Sequence, residues 1–223
     1  MADLEKNGQP YAFFPLHAEP EIATSVLARN YMNQIEAVRN IAHSLPMGMR
    51  LMVKEHPRSW GLRTPGYYRR LSEIPNVVFV DVDESTDRVV RSAAVVVVLS
   101  GFIGFEAALA GVPVVVLGRS FVTYLPPSMV RKVDALDGLP QAMQDLMQNY
   151  AVDEDALTAL VAAIIADAVP ANLWSELLGK AGREHGTAAE GADRSQQEQI
   201  RLMAEYLLRR LHDPRLGEFQ VAP

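Results

Sequence analysis

The segment from Val95 to Gly118 constrains the fold of this chain more than any other. It reads VVVVLSGFIGFEAALAGVPVVVLG and is apolar almost throughout, but it contains Ser100, Glu106 and internal glycines. Its length would suffice to cross a lipid bilayer, which takes about 20 apolar residues. The β-branched runs and the central glutamate argue against a membrane span, because valine favours strands and an acid is costly in lipid. With glycines and Pro113 where turns would fall, the segment predicts a buried strand, a short helix and a second buried strand.

The same alternation of strand and helix recurs along the first half of the chain. Predicted strands lie at Tyr11–His17, Met49–Pro57, Asn76–Asp83, Val95–Leu99 and Val112–Leu117. Predicted helices lie at Tyr31–Pro46, Thr64–Ile74, Ser85–Ala93 and Gly101–Ala110. Continuous apolar strands are typical of parallel sheets that are covered on both faces. The predicted fold class is therefore α/β, a Rossmann-like doubly wound parallel sheet with extra C-terminal helices.

The second half of the chain is predicted to be helical. Helical patterns cover Asp134–Tyr150, Asp153–Val169 and Gln197–Asp213, and the segment before the last of them is rich in glycine and small polar residues. We predict a Rossmann-like domain at residues 1–178, a flexible linker at 179–196, and a C-terminal helix and tail at 197–223.

Composition excludes several classes of function. The net charge of −6 over 223 residues argues against a nucleic-acid-binding protein, whose surface would be basic. The absence of cysteine excludes disulfides, thiol catalysis and thiolate metal sites. No metal-ligand spacing, GxGxxG fingerprint, Walker loop or GxSxG elbow is present, so we expect neither a bound metal nor another cofactor. The N-terminus lacks the pattern of a secretory signal, which predicts a cytoplasmic protein.

The candidate site residues follow three predicted strands, within PLHAEPE, KEHPRSWG and LSGFIGFEA. In an open parallel sheet, ligands bind beyond the carboxyl ends of the strands, and all three of these ends lie on one side. The candidates are His17, Lys54, His56, Pro57, Ser100, Gly101 and Glu106.

The turn at Ser100 and Gly101 is suited to holding a phosphate. The first N–H groups of a helix have no internal partners, glycine allows close approach, and the serine hydroxyl adds a donor. Glu106 lies about a turn and a half into the predicted helix, where its carboxylate could accept bonds from ribose hydroxyls. The alternative is that the glycines only permit tight packing and that Glu106 faces solvent.

The two histidines have similar alternatives. His56 ends a buried strand before Pro57, and its imidazole could donate to a phosphate or act on a leaving group, or it could cap the strand by bonding to backbone. Lys54 could supply positive charge to the site or be solvated. His17 lies in a proline-bounded loop that forms either a wall of the site or a hinge.

These motifs together resemble the bacterial capsule polysaccharide biosynthesis proteins, a group that includes Kdo transferases, and more loosely the C-terminal half of a GT-B glycosyltransferase. The resemblance covers roughly residues 11–118. It implies that His56 and Pro57 contact the nucleotide phosphate and base, that Ser100 and Gly101 hold the donor phosphate, and that Glu106 binds ribose. Catalysis would fall to His56.

The resemblance also implies partners. The donor would be a nucleotide-activated sugar, with a CMP-sugar such as CMP-Kdo favoured over a UDP-sugar. The polysaccharide or glycolipid acceptor would bind an N-terminal domain that this sequence lacks, so the chain is predicted to be a fragment of a longer protein or a half-enzyme. The full enzyme could associate peripherally with the inner face of the bacterial membrane. Two alternatives are an epimerase acting on UDP-N-acetylglucosamine and a non-catalytic interaction domain on the same fold.

Overall fold

The computed structural model describes residues 8–169 and 196–213, and in this part of the chain six strands form one parallel sheet. The strands follow the order β3-β2-β1-β4-β5-β6, which is that of a Rossmann fold. They are β1 (Tyr11–Pro15), β2 (Arg50–Lys54), β3 (Val77–Val80), β4 (Val95–Val98), β5 (Val114–Val116) and β6 (Val130–Lys132). The predicted fold class is confirmed, although the edge strand β6 was not predicted.

Helices connect the strands and continue after β6. The α-helices are α1 (Gln34–Ser44), α2 (Pro65–Ser72), α3 (Thr86–Arg91), α4 (Ile103–Leu109), α5 (Leu139–Gln148), α6 (Glu154–Ala166) and α7 (Gln196–Leu211). Short helical turns occupy Ala23–Leu27, Arg29–Tyr31, Pro57–Ser59, Phe121–Tyr124 and Leu136–Gly138. Ser85 caps α3 as its sequence position predicts, because its side chain accepts a hydrogen bond from the Arg88 N–H.

Both faces of the sheet are buried, as the continuous valine runs require. Alternate strand residues such as Phe14 and Val97 join a core formed with α1 and α5. Their neighbours, including Phe13 and Val98, join a second core formed with α3 and α4. This arrangement explains why β4 and β5 consist entirely of valine, since neither face of either strand meets water.

The apolar segment that constrains the fold is divided as predicted, into β4, α4 and β5. Helix α4 begins at Ile103, two residues later than expected, because Gly101 has φ of +87° and cannot be helical. Gly104 allows α4 to pack closely on the sheet, since a Cβ there would lie 3.1 Å from Val98 Cγ2. Among the described residues, the helices are too short or too polar to cross a membrane.

The chain divides into two compact units between Val161 and Ala162. The sheet and its flanking helices belong to the first unit, and α7 belongs to the second. Apart from its last residue, the predicted linker 179–196 lies outside the described residues, as does the predicted domain boundary after residue 178. These two assignments therefore stay predictions.

Candidate functional site

The candidate site lies at the carboxyl edge of the sheet, where the loops after β1, β2 and β4 meet. Strand β1 is hydrogen-bonded to β2 on one side and to β4 on the other. From β1, the strands β2 and β3 are added on one side of the sheet, and β4, β5 and β6 on the other. Ligands of open α/β sheets bind at the point where the direction of strand addition changes in this way. His17 follows β1, His56 follows β2 and Ser100 follows β4, so the topology brings these three positions to one edge.

His17 is held at the centre of this edge by Gln34. The buried Gln34 amide bonds both backbone groups of His17, accepting from its N–H at 2.8 Å and donating to its C=O at 3.0 Å. The His17 ring places Nδ1 3.6 Å from Glu21 Oε2. Its Nε2 is buried and has no hydrogen-bond partner among the described residues. A buried polar atom without a partner points to a group that a ligand could supply.

Burial disfavours the charged form of the His17 ring. Burial lowers the pKa of His17, and the nearby His56 lowers it further, whereas Glu21 and Glu19 act in the opposite direction. The charge of His56 thus acts on the His17 ring across the carboxyl edge. A neutral ring can both donate and accept a hydrogen bond.

Gly101 lies directly against the His17 ring. A Cβ at Gly101 would be 3.4 Å from His17 Cε1, which is ordinary van der Waals contact. Its positive φ of +87° is the feature that favours glycine at this position. The turn after β4 therefore presents backbone rather than a side chain to the imidazole.

His56 bonds to backbone at the end of β2, which is one of the two alternatives that its sequence position suggests. Its Nδ1 accepts a hydrogen bond of 3.1 Å from the Arg58 N–H and so caps the helical turn that begins at Pro57. Since Nδ1 is an acceptor, the proton of the neutral ring resides on Nε2. His56 therefore caps the helical turn through Nδ1, and its neutral ring carries the proton on Nε2.

The Ser100 hydroxyl is already engaged in a hydrogen bond within the protein. Its side chain is buried, and its hydroxyl donates a hydrogen bond of 2.7 Å to the Arg119 carbonyl. This bond ties the turn after β4 to the turn after β5. The hydroxyl proton can reach a phosphate only if that bond breaks.

Lys54 and Glu106 lie on elements beside the two histidines. The Lys54 amine donates to the Val82 carbonyl at 3.1 Å, and burial lowers the pKa of Lys54 despite the opposing effect of Asp83. Glu106 is exposed on α4, where partial loss of hydration and the neighbouring Asp87 raise the pKa of its carboxyl. Lys54 is thus directed to the end of β3, and the Glu106 side chain is exposed.

Sequence reasoning missed Arg63, which joins two of the loops. Its Nε lies 2.8 Å from Glu55 Oε2 and its Nη1 3.0 Å from Glu19 Oε2, and its Nη2 donates to the His17 carbonyl. Tyr68 donates to the same Glu55 oxygen at 2.9 Å. Glu55 was the available signal, because an acid at the end of a buried strand needs a cationic partner. Spacing alone does not identify that partner.

The arrangement is suited to binding an oxyanion. The loops after β1 and β2 carry the two imidazoles and are joined by the ion pairs of Arg63, and the turn after β4, with its positive φ, lies against His17. Hydrogen bonds to a charged oxygen are stronger than those between neutral groups, particularly where water is partly excluded.

Residues 29–124 match the family model of capsule polysaccharide biosynthesis proteins, so the predicted resemblance is confirmed over this segment. No curated protein sequence matches the chain.

Several solved structures are similar at low identity. The beta Kdo 2,7 transferase KpsC of Thermosulfurimonas dismutans is 18% identical with a TM-score of 0.46, over 70% of this chain and 55% of that one. The UDP-GlcNAc 2-epimerase of Methanocaldococcus jannaschii, solved with UDP-GlcNAc and UDP, is 15% identical with a TM-score of 0.45, over 74% and 48%. A putative UDP-N-acetylglucosamine 2-epimerase from Listeria monocytogenes is 18% identical with a TM-score of 0.45, over 74% and 47%. The chain thus spans about half the length of each of these proteins.

Proposed function

Because residues 29–124 match the capsule polysaccharide biosynthesis family, we propose that this chain is the donor-binding domain of a GT-B glycosyltransferase that makes bacterial capsule or surface polysaccharide. Its ligand is a nucleotide-activated sugar, with a CMP-sugar such as CMP-Kdo favoured. The acceptor polysaccharide or glycolipid is bound by a further domain or subunit, so that this chain by itself binds donor without transferring it.

One observation carries the proposal more than the others. The Nε2 atom of His17 is buried and has no partner among the described residues, and its ring packs against Gly101. A phosphate oxygen between His17 and His56 would supply the missing partner. In this role the His17 ring carries a proton on Nε2 and donates it to the phosphate oxygen.

The proposed roles follow from the chemistry of each group. The phosphate lies between the two imidazoles and the backbone turn at Ser100 and Gly101. The Nε2–H of His56 stabilises the charge that develops on the leaving phosphate during transfer, which makes it the catalytic group. Glu106 accepts hydrogen bonds from the ribose, and Pro57 contacts the base. Lys54 adds positive charge at the end of β2.

The test is calorimetric titration of CMP into the parent chain and into two variants, His17→Ala and His56→Ala. Each variant loses a hydrogen bond to a charged group, so we expect binding to weaken by about 1–3 kcal/mol. The matched control is His43→Ala. His43 is exposed at the C-terminal end of α1, away from the carboxyl edge, and its removal should leave the affinity unchanged.

Other outcomes would separate the alternatives. If both site variants bind CMP like the parent, the site is wrong. If the chain prefers UDP and converts UDP-N-acetylglucosamine to an epimer, the epimerase interpretation holds. If the chain binds no nucleotide at all, the fold serves as an interaction domain.

A further inference from the structure

The carboxylate of Glu21 faces the His17 ring from the same loop after β1. Its Oε2 lies 3.6 Å from His17 Nδ1, which is within ion-pair distance but longer than a hydrogen bond. Among the described residues, this buried oxygen has no hydrogen-bond partner, and neither has Nε2 on the far side of the ring. The nucleotide site proposed above gives Nε2 a partner and leaves Glu21 without a role. Two buried polar atoms in contact with one imidazole require an explanation that includes both.

Backbone contacts hold the acid and the ring opposite each other. The Glu21 carbonyl accepts hydrogen bonds from the Ser25 N–H at 2.9 Å and from the Thr24 hydroxyl at 3.1 Å, which start the helical turn of this loop. At the other end of the loop, the Gln34 amide bonds both backbone groups of His17. The pairing of the two side chains is therefore fixed by groups other than the side chains themselves.

The carboxylate determines which nitrogen of the neutral His17 ring carries the proton. A neutral imidazole has one N–H, and its other nitrogen is an acceptor. The proton lies on Nδ1, because an unprotonated Nδ1 would repel the Glu21 oxygen beside it. Nε2 then carries a lone pair. A phosphate oxygen is also an acceptor, so it can bond to Nε2 only if a proton is added there.

The charges around the ring are closely balanced in the free chain. Burial lowers the pKa of His17 and the charge of His56 acts in the same direction, whereas Glu21 and Glu19 raise it. Arg63 adds a positive charge on the side of the His17 carbonyl, to which it donates. A phosphate at Nε2 would add a negative charge opposite Glu21. An imidazole between two anions is stabilised in its protonated form.

We propose that Glu21 is a positioning residue for His17, and that the His17 ring takes up a proton from solution when a nucleotide phosphate binds. The inference rests on the proposed function, which places a phosphate oxygen at His17 and His56. The added proton goes to Nε2, whose N–H donates to the phosphate oxygen, while the Nδ1–H is directed at Glu21. Binding thus gives a partner to both buried atoms, and the N–H bond at Nε2 is the only covalent bond that forms.

The experiment counts the protons taken up when CMP binds. Calorimetric titrations are made in Tris and in HEPES, whose different ionisation enthalpies reveal any proton exchanged with the buffer. A pH of about 7.5 is used, because the CMP phosphate has then lost its second proton, whose pKa is about 6. We expect the parent to take up about 0.5–1 proton for each CMP bound, and His17→Gln and Glu21→Gln to take up less than about 0.2.

The matched control is Glu73→Gln. Glu73 is exposed at the end of α2, before β3, and so lies at the opposite edge of the sheet. Its replacement removes the same charge and should leave both the proton count and the CMP affinity at the parent's values. A role of Glu21 in folding alone would change the melting temperature of Glu21→Gln but not its proton count.

The possible results distinguish this inference from the proposed function. If the parent binds CMP with the same enthalpy in both buffers, no proton is taken up, and the inference is wrong while the nucleotide site stands. If either variant takes up as many protons as the parent, the proton goes to another group or Glu21 does not position the ring, and the inference again fails. If the parent does not bind CMP, the proposed function fails and this inference fails with it.

Imidazole ¹⁵N spectra of the parent decide the matter if a variant binds CMP too weakly to titrate. The His17 signals are identified by their absence from the spectrum of His17→Gln. We expect saturating CMP to move the Nε2 signal from the position of an unprotonated nitrogen to that of a protonated one. A His17 ring with the same protonation before and after CMP is added would overturn the proposal.

Discussion

The imidazole of His17 is buried at the edge of a sheet, in a position where protonation is unfavourable. Burial lowers the pKa of His17, and the neighbouring His56 adds to that effect, while Glu21 at 3.6 Å partly offsets it. The Gln34 amide accepts one hydrogen bond from the His17 backbone and donates another to it, which holds the chain at this position. His17 therefore couples the stability of the site to pH.

We expect a pH-dependent loss of stability that depends on His17. The pKa of His17 in the folded chain lies below its unfolded value, which is about 6.5. The stability due to the neutral ring is therefore complete above that value and is lost as the pH falls through the lowered folded pKa. Melting temperatures measured from pH 5 to 8 should fall more steeply toward acid for the parent than for His17→Gln. His43→Gln is the control and should follow the parent; equal slopes for the parent and His17→Gln would contradict the assignment.

Sequence patterns predicted which residues would meet at this edge, but not their partners. His17 and His56 stand out because each follows a buried strand beside a proline. The partners of these loops, Arg63 and Gln34, are separated from them along the chain by turns and helices. Their contacts depend on exact loop geometry, which periodicity does not specify. Arg63 was therefore absent from the predicted site although it bonds to the backbone of His17.

At the scale of elements, the sequence predicted the central strands β4 and β5, which are buried on both faces, and missed the exposed edge strand β6. The valine runs of β4 and β5 could be recognised as strands in the sequence because both faces of each strand pack in the core. Strand β6 was missed because it is short and lies at the edge of the sheet, and Arg131 and Lys132 within it are exposed. Short, charged edge strands protect a sheet from pairing with other chains. The same charged residues interrupt the apolar pattern by which a buried strand is recognised in a sequence.

The turn after β5 offers a test at this scale. Replacing Gly118 with alanine would place a Cβ 2.6 Å from the Ala28 Cβ and in collision with the Leu99 carbonyl, so the segment 26–31 must shift. We expect Gly118→Ala to lower the free energy of unfolding by about 1–3 kcal/mol, measured by urea denaturation. Gly138→Ala is the matched control, because no atom lies within 4 Å of the Cβ that it would add. Equal stability of the two variants would show that the turn tolerates side chains.

At the scale of the whole molecule, the candidate site belongs to the first compact unit. The residues assigned to this site lie between positions 17 and 106, and the unit extends to Val161. Helix α6 begins within this unit and packs residues such as Leu157 and Leu160 against the core on one face of the sheet. The described part of this unit thus contains a sheet with both faces covered, which is the requirement for a parallel sheet to fold.

This organisation predicts that a chain ending at Val169 retains the fold and the nucleotide site. Such a chain keeps α6 complete and omits α7. We expect cooperative thermal unfolding, followed by circular dichroism, and a CMP affinity equal to that of the full chain, because the groups assigned to the phosphate, ribose and base precede residue 107. If the shortened chain folds but loses CMP affinity, residues after Val169 contribute to the nucleotide site. If it does not unfold cooperatively, the core on the two faces of the sheet is not sufficient without them.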